Sequence, residues 1–227
     1  MTGPAIRRPR PITIAHRAGN DLVRLREAER IGADLVEADV WAYRGRLEVR
    51  HLKRLGRTRL LWDRWKLAYR RAPKLLLPDL LGSAASDTQL MLDLKGADPH
   101  LPEAILQTAA LHPGRPLTVC SQNWGLLAPL RGQPHVTVVH SVGSAQRLRL
   151  FLQLAEREQL EALSIHVRLL TPAVVEQLKQ ATPMVMAWPV RTNEQAAELL
   201  RWGVDGVISA DLRLQEALVT MRAASNE

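Results

Sequence analysis

Apolar residues recur along the chain in two alternating patterns, short continuous runs and longer segments with helical spacing. The short runs predict eight β-strands: Ile12–His16, Asp34–Val40, Gln89–Leu94, Leu117–Ser121, Val136–His140, Ala162–His166, Met184–Trp188 and Gly206–Ser209. The longer segments predict helices: Leu22–Arg30, Leu101–Leu111, Trp124–Leu130, Ser144–Glu156, Pro172–Ala181, Glu194–Trp202 and Leu212–Ala223. Because parallel strands need crossover helices, eight repeats of strand and helix predict a closed TIM (β/α)8 barrel rather than an open sheet.

Local signals support several of these boundaries. Thr171 comes before Pro172, which is typical of a capping side chain followed by proline at the first helical position. Asn193 can cap the helix that begins at Glu194 in the same way. Gly203 is suited to a left-handed helix stop before the last strand.

The segment at about 50–86 fits the strand and helix pattern least. It contains Trp62, Trp65 and many Arg residues, and it is predicted to form a long loop with one or two short helices. A long insertion after the second strand of a barrel usually lies over the active-site end. We therefore expect this basic loop to shape substrate access, within a single domain that spans residues 1–227.

The chain carries a formal net charge of +8, with 31 Lys and Arg against 23 Asp and Glu. Much of the excess lies in Arg7–Arg10 and in Arg44–Arg71. A basic surface favours anionic partners, such as phosphate esters, lipid headgroups or nucleic acid. A solvated basic face without any partner explains the charge equally well, so charge alone selects no function.

Composition also bears on the compartment. Cys120 is the only cysteine, so no intrachain disulfide can form, which suits a reducing compartment. No apolar run approaches the length of a membrane span, and Met1–Pro11 has no signal-peptide core. The sequence therefore predicts a cytoplasmic protein.

Acidic residues lie at the ends of two predicted strands, where a barrel has its active site. Side chains alternate along a strand, so Glu37 and Asp39 share one face of the second strand. In the same way Asp93 and Lys95 share one face of the third. Paired carboxylates are costly to bury unless a hard divalent cation accepts them as ligands. Carboxylates bridged by arginine, or a structural Asp–Lys pair, would give the same pattern.

Two histidines and an arginine accompany these acids. His16 and Arg17 end the first strand, and His51 follows a short alternating segment that can return as a hairpin strand. The arginine fork suits phosphate, and histidine carries protons near neutral pH. Two histidines that flank a phosphate held by a metal ion can act as acid and base.

In its order and spacing, this set of motifs resembles the glycerophosphodiester phosphodiesterase family. The motifs are His16–Gly19, Gly32 to Asp39, His51, Met91–Lys95, Val185–Trp188 and Gly203–Ser209, and together they cover roughly Ile12 to Asp211. The resemblance implies a barrel, one divalent ion, Mg²⁺ or Ca²⁺, and cleavage of glycerophosphodiesters to glycerol phosphate and an alcohol.

Carried over by position, the resemblance also assigns roles to individual residues. Glu37, Asp39 and Asp93 would be metal ligands, and His16 and His51 the acid and base. Arg17, Lys95 and Trp188 would contact the substrate. The chain departs from the family pattern at Ala18, which interrupts H-R-G, at Leu52, at Asp93, at Pro189–Arg191, and at Asn20–Arg24 in place of P-E-N-T.

Three other interpretations remain open at this point. One is a phospholipase-D-like enzyme that acts on lysophospholipids or sphingolipid headgroups, with a peripheral membrane contact. Another is a catalytically silent barrel that binds phosphorylated ligands. The third is a nucleic-acid binder, which the Arg-rich residues 57–71 favour. No recognised DNA-binding motif is present, so a small phosphodiester or lysolipid is the expected partner, and nucleic acid is not.

Some candidate residues receive no role from the motifs. His140 and His166 each end a predicted strand, and core or rim hydrogen bonding is the favoured interpretation for both. Trp41, Trp124 and Trp202 are interpreted as packing residues. Ser121 could contact substrate, but no base can be paired with it from the sequence.

Overall fold

The computed structural model describes residues 11–54, 58, 60–63, 66–69 and 72–224. Over these residues the strands are β1 Ile12–Ala15, β2 Leu35–Tyr43, β3 Arg46–Val49, β4 Lys53–Arg54, β5 Leu60–Asp63, β6 Lys66–Tyr69, β7 Leu75–Leu76, β8 Leu90–Lys95, β9 Leu117–Ser121, β10 Val136–Val142, β11 Ala162–His166, β12 Val185–Trp188 and β13 Gly206–Ser209. The α-helices are α1 Leu22–Arg30, α2 Leu77–Ser83, α3 Leu101–Ala109, α4 Ala145–Ala155, α5 Pro172–Ala181, α6 Asn193–Arg201 and α7 Leu212–Ala224.

Eight of these strands close into a parallel barrel, as predicted. The order around the barrel is β1, β2, β8, β9, β10, β11, β12 and β13, and β13 pairs again with β1. Each pairing within this ring is parallel. The predicted (β/α)8 barrel is therefore confirmed.

The interior of the barrel is divided into an apolar part and a polar part. All eight barrel strands contribute to one buried apolar cluster, made of Ile12, Ile14, Leu35, Met91, Cys120, Val139, Ala162, Met184, Met186 and Ile208. Because side chains alternate along a strand, the next inward positions carry the polar groups, among them Glu37 after Leu35 and Asp93 after Met91. The apolar cluster thus forms a floor under the carboxyl ends of the strands.

Two buried aspartates brace the opposite end of the barrel in the same way. Asp34 precedes β2 and accepts hydrogen bonds from the Thr13 backbone N–H and hydroxyl, both at 2.8 Å. It also pairs with Arg222 of α7. Asp205 precedes β13 and accepts from the Val185 N–H at 2.8 Å, while Lys179 of α5 lies 2.6 Å from its Oδ2. Each carboxylate therefore ties a neighbouring strand and a helix together.

The helical predictions hold, with two corrections. The predicted helix Trp124–Leu130 is instead two short 3₁₀ turns, Trp124–Leu126 and Ala128–Leu130. Pro129 lacks the N–H that an α-helix would need there, which explains the break. The cap of α6 is Thr192, whose hydroxyl accepts from the Gln195 N–H, and Asn193 is the first helical residue. The predicted cap at Thr171 and the positive φ of Gly203 are confirmed.

The basic segment after β2 contains the predicted hairpin strand, β3, and a short helix, α2, but the strands β4 to β7 replace part of the predicted long loop. β3 returns antiparallel on β2 and pairs with β7. β4, β5 and β6 form a separate antiparallel sheet, and α2 is the one helix among the described residues of this segment. Strands of two to four residues are too short to show a clear alternation, so the pattern of β4 to β7 was missed. Trp65 and Arg7–Arg10 lie outside the described residues.

No helix in the described part of the chain is long and apolar enough to cross a membrane. The cytoplasmic location stays a prediction. The single domain over residues 1–227 also stays a prediction, because it includes residues that the structure does not describe.

Candidate active site

A cavity of about 530 Å³ opens at the carboxyl ends of the barrel strands. Its floor is apolar, with Met91, Cys120 and Ile208 from the interior cluster. Its walls carry the polar residues singled out from the sequence: His16, Arg17, Glu37, His51, Asp93 and Lys95, with Trp188 at one side. A concave site with an apolar floor and convergent polar groups is typical of an active site.

Three carboxylates meet in this cavity. One oxygen from each of Glu37, Asp39 and Asp93 lies within 4.8 Å of the others. Glu37 and Asp39 come from the same face of β2, and Asp93 lies beside Asp39 in the parallel pairing of β2 with β8. Glu37 and Asp39 are almost completely buried. The predicted carboxylate cluster is therefore present as a geometric unit.

The turn after β1 holds two of these carboxylates. The Arg17 backbone N–H donates to Glu37 Oε2 at 2.5 Å, and Arg17 has a positive φ of 58°. Asn20 binds Asp39 twice, since its Nδ2 donates to Asp39 Oδ2 at 2.7 Å and its Oδ1 accepts from the Asp39 N–H at 2.8 Å. A Cβ on Gly19 would lie 2.8 Å from Ala38 Cβ, so glycine allows this turn to approach β2.

His51 reaches the cavity from the β2–β3 hairpin, as the sequence predicted. Its Nδ1 lies 3.0 Å from Asp39 Oδ2. Arg50, the preceding residue, is buried and fixes the segment, with its Nε donating to Glu48 Oε2 at 2.6 Å and its Nη1 to the Leu52 carbonyl. The guanidinium also lies over the Trp41 ring, 4.7 Å from its centroid. A buried arginine with these partners orients His51 through the backbone.

His16 lies on the other side of the carboxylates. Its Nε2 is 3.9 Å from Glu37 Oε2. Burial, followed by the charge of Arg17, lowers the pKa of His16 to about 3. The two histidines therefore flank the carboxylate cluster, one beside Glu37 and the other beside Asp39.

The pKa values of the three carboxylates are shifted in different directions. Burial and the neighbouring carboxylates raise the pKa of Glu37 well above its ordinary value. Burial also raises the pKa of Asp93, although Lys95 opposes the change. For Asp39 burial acts in the same direction, but the hydrogen bond from His51 and the charge of Lys95 outweigh it and lower the pKa. The cluster therefore holds more negative charge than its protein partners fully stabilise.

Lys95 is the cation closest to the cluster among the described residues. Its Nζ lies 2.9 Å from Asp39 Oδ1 and also pairs with Asp93. Burial would lower the pKa of Lys95, but the three carboxylates together raise it. Lys95 therefore stays charged, and one ammonium faces a site with three acids.

The donor set fits a hard divalent cation. Three carboxylates that converge within 4.8 Å offer only oxygen ligands, which Mg²⁺ and Ca²⁺ prefer. The raised pKa values of Glu37 and Asp93 indicate that additional positive charge would stabilise their ionised forms. The residues therefore fit such an ion, and nothing in the site favours one of the two metals.

The remaining predicted residues differ in their relation to the cavity. Trp188 lines it and contacts His166, with ring centroids 4.9 Å apart, so His166 lies at the rim. Ser121 also lines it, but its hydroxyl donates to the Leu94 carbonyl. His140 lies outside the barrel interior and packs in the core against Trp124 and Phe151. His140 is therefore buried in the core, as predicted, but its Nδ1 has no hydrogen-bond partner among the described residues, so the predicted hydrogen bonding is not seen there.

Sequence reasoning missed Asn20, the role of Arg50, and the position of Trp41. Trp41 was interpreted as a packing residue, yet it lines the cavity, and its Nε1 donates to the Arg50 carbonyl at 3.0 Å. Trp124 and Trp202 do pack against the core. The signal for Asn20 was its place in the short connection between β1 and α1, at the end of the barrel where polar residues can face the site.

Comparisons with known proteins agree with this architecture. A sequence profile of the glycerophosphoryl diester phosphodiesterase family matches residues 108–213. The match includes Trp188 but not the carboxylates or the histidines of the site. No curated protein matches the chain in sequence.

Solved structures of several bacterial phosphodiesterases share the fold. An Oleispira antarctica phosphodiesterase in complex with its product sn-glycerol-3-phosphate is 19% identical, with 96% of this chain and 97% of that chain covered and a TM-score of 0.72. A Thermotoga maritima glycerophosphodiester phosphodiesterase is 18% identical over 95% and 100%, with a TM-score of 0.73. One from Parabacteroides distasonis is 20% identical over 93% and 97%, with a TM-score of 0.71.

At these sequence identities, the likeness to the solved structures shows the fold alone. The profile match is the sequence evidence for a likeness to the family. The profile covers the motifs Val185–Trp188 and Gly203–Ser209, whereas the motifs from His16–Gly19 to Met91–Lys95 lie outside it. The chain is therefore similar to the glycerophosphoryl diester phosphodiesterase family over residues 108–213, and its barrel has the fold of these solved phosphodiesterases.

Proposed function

We propose that the protein hydrolyses glycerophosphodiesters to glycerol phosphate and an alcohol, with one divalent ion, Mg²⁺ or Ca²⁺, held by Glu37, Asp39 and Asp93. The observation that carries the proposal is the convergence of these carboxylates within 4.8 Å, flanked by two histidines in one cavity. The Oleispira enzyme binds sn-glycerol-3-phosphate as its product, which supports a substrate of this class for the same fold.

The phosphodiester carries one negative charge that must be held next to acidic residues. When bound, the ion would neutralise charge on the phosphoryl oxygens. Lys95 and Arg17 line the cavity and supply the cationic groups for the remaining oxygens. A guanidinium offers two parallel donors to a phosphate, and an ammonium acts as a point charge.

His16 and His51 serve as the acid–base pair. One imidazole removes a proton from water as the water oxygen attacks phosphorus. The other imidazole, in its protonated form, donates its proton to the alcohol oxygen as the bond from phosphorus to that oxygen breaks. Asp39 holds His51 at 3.0 Å, so that ring has a fixed orientation. Trp188 walls the cavity on the side where part of the substrate would lie.

Hydrolysis of glycerophosphocholine tests the proposal. Turnover is expected with Mg²⁺ or with Ca²⁺ and not with EDTA, and the products are identified by mass. His16→Ala and His51→Ala each lower kcat by about 10²–10⁴-fold, which is the usual contribution of a positioned acid or base. His112→Ala, between α3 and β9, is the matched control and retains the wild-type rate.

Two outcomes would contradict the proposal. Turnover that persists in EDTA would show that the reaction needs no divalent ion. Full activity in both histidine variants would show that His16 and His51 are not the acid and base. Turnover of intact lysophosphatidylcholine without turnover of glycerophosphocholine would instead select the phospholipase-D-like alternative.

A further inference from the structure

The side of the cavity opposite the carboxylates has a different composition. In the ring of eight barrel strands, β11 lies opposite β2, and β12 lies opposite β8. These two strands contribute Ser164 and Trp188 to the cavity. None of the described residues that line the cavity on this side is acidic. A substrate whose scissile phosphate lies at the carboxylates would therefore extend its other part towards β11 and β12.

Two arginines lie just beyond the ends of these strands. Arg168 follows β11 in the 3₁₀ turn Val167–Leu169, and Arg191 lies three residues after the end of β12. Burial lowers the pKa of His166, and the charges of Arg168 and Arg191 lower it further, so both guanidiniums lie near this ring. His166 in turn packs against Trp188, which lines the cavity. The two cations therefore lie at one part of the rim.

Hydrogen bonds fix Arg168 and His166 beside the cavity wall. Arg168 Nη2 donates to the Gly143 carbonyl at 2.5 Å. Gln122, which lines the cavity, lies against the same glycine, because a Cβ on Gly143 would be 3.4 Å from Gln122 Oε1. The Arg168 backbone N–H donates to His166 Nδ1 at 3.2 Å. Since Nδ1 accepts, the neutral imidazole carries its hydrogen on Nε2, which is a donor for a further acceptor.

Arg191 extends from a fixed backbone. The preceding residue, Val190, is buried, and its N–H donates to the Ile208 carbonyl at 3.0 Å. The Arg191 N–H donates to Gln195 Oε1 at 3.0 Å. The side chain itself is exposed, and it stands in the segment Pro189–Arg191, where the chain departs from the family pattern. A cation is thus placed at the rim by this particular sequence.

The positive charges at this part of the rim are not neutralised locally. In the part of the chain that the structure describes, no acidic side chain forms an ion pair with Arg168 or Arg191. Glu194, three residues after Arg191, accepts a hydrogen bond from Thr192 instead. Two guanidiniums beside a cavity, without an acid to pair with them, favour an anionic ligand.

We propose that Arg168 and Arg191, with His166, bind a second phosphate group on the alcohol part of the substrate, so that the preferred substrate is a glycerophosphodiester whose alcohol is itself phosphorylated. A phosphate accepts hydrogen bonds from several directions, whereas a carboxylate has two oxygens in one plane, so donors from two separate segments suit phosphate better. The two phosphates then lie on opposite sides of one cavity of about 530 Å³. The inference rests on the proposed hydrolysis and specifies its substrate class.

Two substrates that differ in one glycerophosphate group test the inference. Glycerophosphoglycerol contains a single phosphodiester, and bis(glycerophospho)glycerol carries a second glycerophosphate on the same alcohol. After allowance for its two equivalent phosphodiesters, we expect the wild type to favour bis(glycerophospho)glycerol by about tenfold or more in kcat/KM, the usual gain from hydrogen bonds to a charged group. The gain should appear mainly as a lower KM, because the contact is remote from the reacting atoms.

Variants of the two arginines locate the contact. Arg168→Gln and Arg191→Gln should each reduce the preference for bis(glycerophospho)glycerol by about tenfold. Arg201→Gln removes the same charge from the last turn of α6 and should keep the preference, which separates a local contact from the general attraction of a basic protein for anions. Equal use of both substrates by the wild type, or a preference that survives in both rim variants, would overturn the inference.

Binding without turnover distinguishes failure of this inference from failure of the proposed hydrolysis. If neither substrate were turned over with Mg²⁺ or Ca²⁺, the hydrolysis alone would be contradicted. Calorimetry with the His16→Ala chain, Ca²⁺ and the same two compounds still measures the rim. We expect bis(glycerophospho)glycerol to bind about tenfold more tightly, and this advantage to be lost when Arg191→Gln is added. Equal affinities for the two compounds, or an advantage unchanged by Arg191→Gln, would show that the rim binds no second phosphate.

Discussion

At the scale of single residues, Asp39 joins most of the candidate active site. Its carboxylate is within 3.0 Å of Asn20, His51 and Lys95, and it is one of the three acids of the cluster. Buried polar networks of this kind stabilise a geometry only when all members are satisfied. The orientation of His51 and the position of a metal ligand therefore depend on the same side chain.

Asn20 should act as a positioning residue. Replacing it with alanine removes both of its hydrogen bonds to Asp39, and changes in such outer contacts typically cost about 10–100-fold in metal affinity or activity. We expect Asn20→Ala to raise the concentration of Mg²⁺ or Ca²⁺ needed for half-maximal rate. Asn193→Ala, at the first position of α6, is the control. An unchanged metal dependence in Asn20→Ala would show that the contact only supports the fold.

His140 should make stability depend on pH. Burial, then the charge of Arg131, lowers its pKa to about 4, against the opposing effect of Glu158. As pH falls from about 6.5 to 4, the unfolded chain gains a proton at this residue and the folded chain does not, so stability is lost. We expect His140→Phe to flatten this loss by on the order of 2 kcal/mol in urea unfolding. If the free energy of unfolding fell equally with pH in the wild type and in His140→Phe, this prediction would be contradicted.

The residues predicted from the sequence and those missed differ in how they reach the cavity. Glu37, Asp39, Asp93 and Lys95 lie on strands, where the alternation of side chains fixes the face. His16 and His51 lie in connecting segments, and they were predicted from the motifs that carry the family resemblance. Asn20 and Arg50 also lie in connecting segments, but no motif marks them and no periodicity determines the path of such a segment.

At the scale of secondary-structure elements, the buried aspartates that precede β2 and β13 stabilise the barrel. Asp205→Ala would leave the Val185 N–H without its acceptor and Lys179 without its partner. We expect a loss of about 2–4 kcal/mol in the free energy of unfolding, measured with urea. Asp87→Ala, at an exposed position, should change it by less than about 0.5 kcal/mol. Similar values for the two variants would show that this brace contributes little.

The strands and helices could be predicted from the sequence where a single pattern of apolar residues dominated the segment. The barrel strands are continuous apolar runs, because both of their faces are buried, and their bounds agree closely with prediction. The segment Trp124–Leu130 has helical apolar spacing, but Pro129 prevents the α-helix, so spacing alone was misleading there. The strands β4 to β7 are too short to show alternation.

At the scale of the whole molecule, the residues that stabilise the barrel and the residues of the candidate active site lie at different levels of the barrel. The interior apolar cluster and the aspartate braces lie below the site, while the carboxylates, histidines and Lys95 lie at the carboxyl ends of the strands. The basic hairpin is attached at the same end as the cavity.

The rate of glycerophosphocholine hydrolysis against free metal concentration tests the account most directly, in the wild type, Asp93→Asn and Asp93→Glu. Asp93→Asn removes one charge from the cluster and should require about tenfold more metal or more, whereas Asp93→Glu keeps the charge and should remain metal-dependent. If Asp93→Asn matched the wild type at every metal concentration, the three carboxylates would not be the metal site, and the account would be wrong.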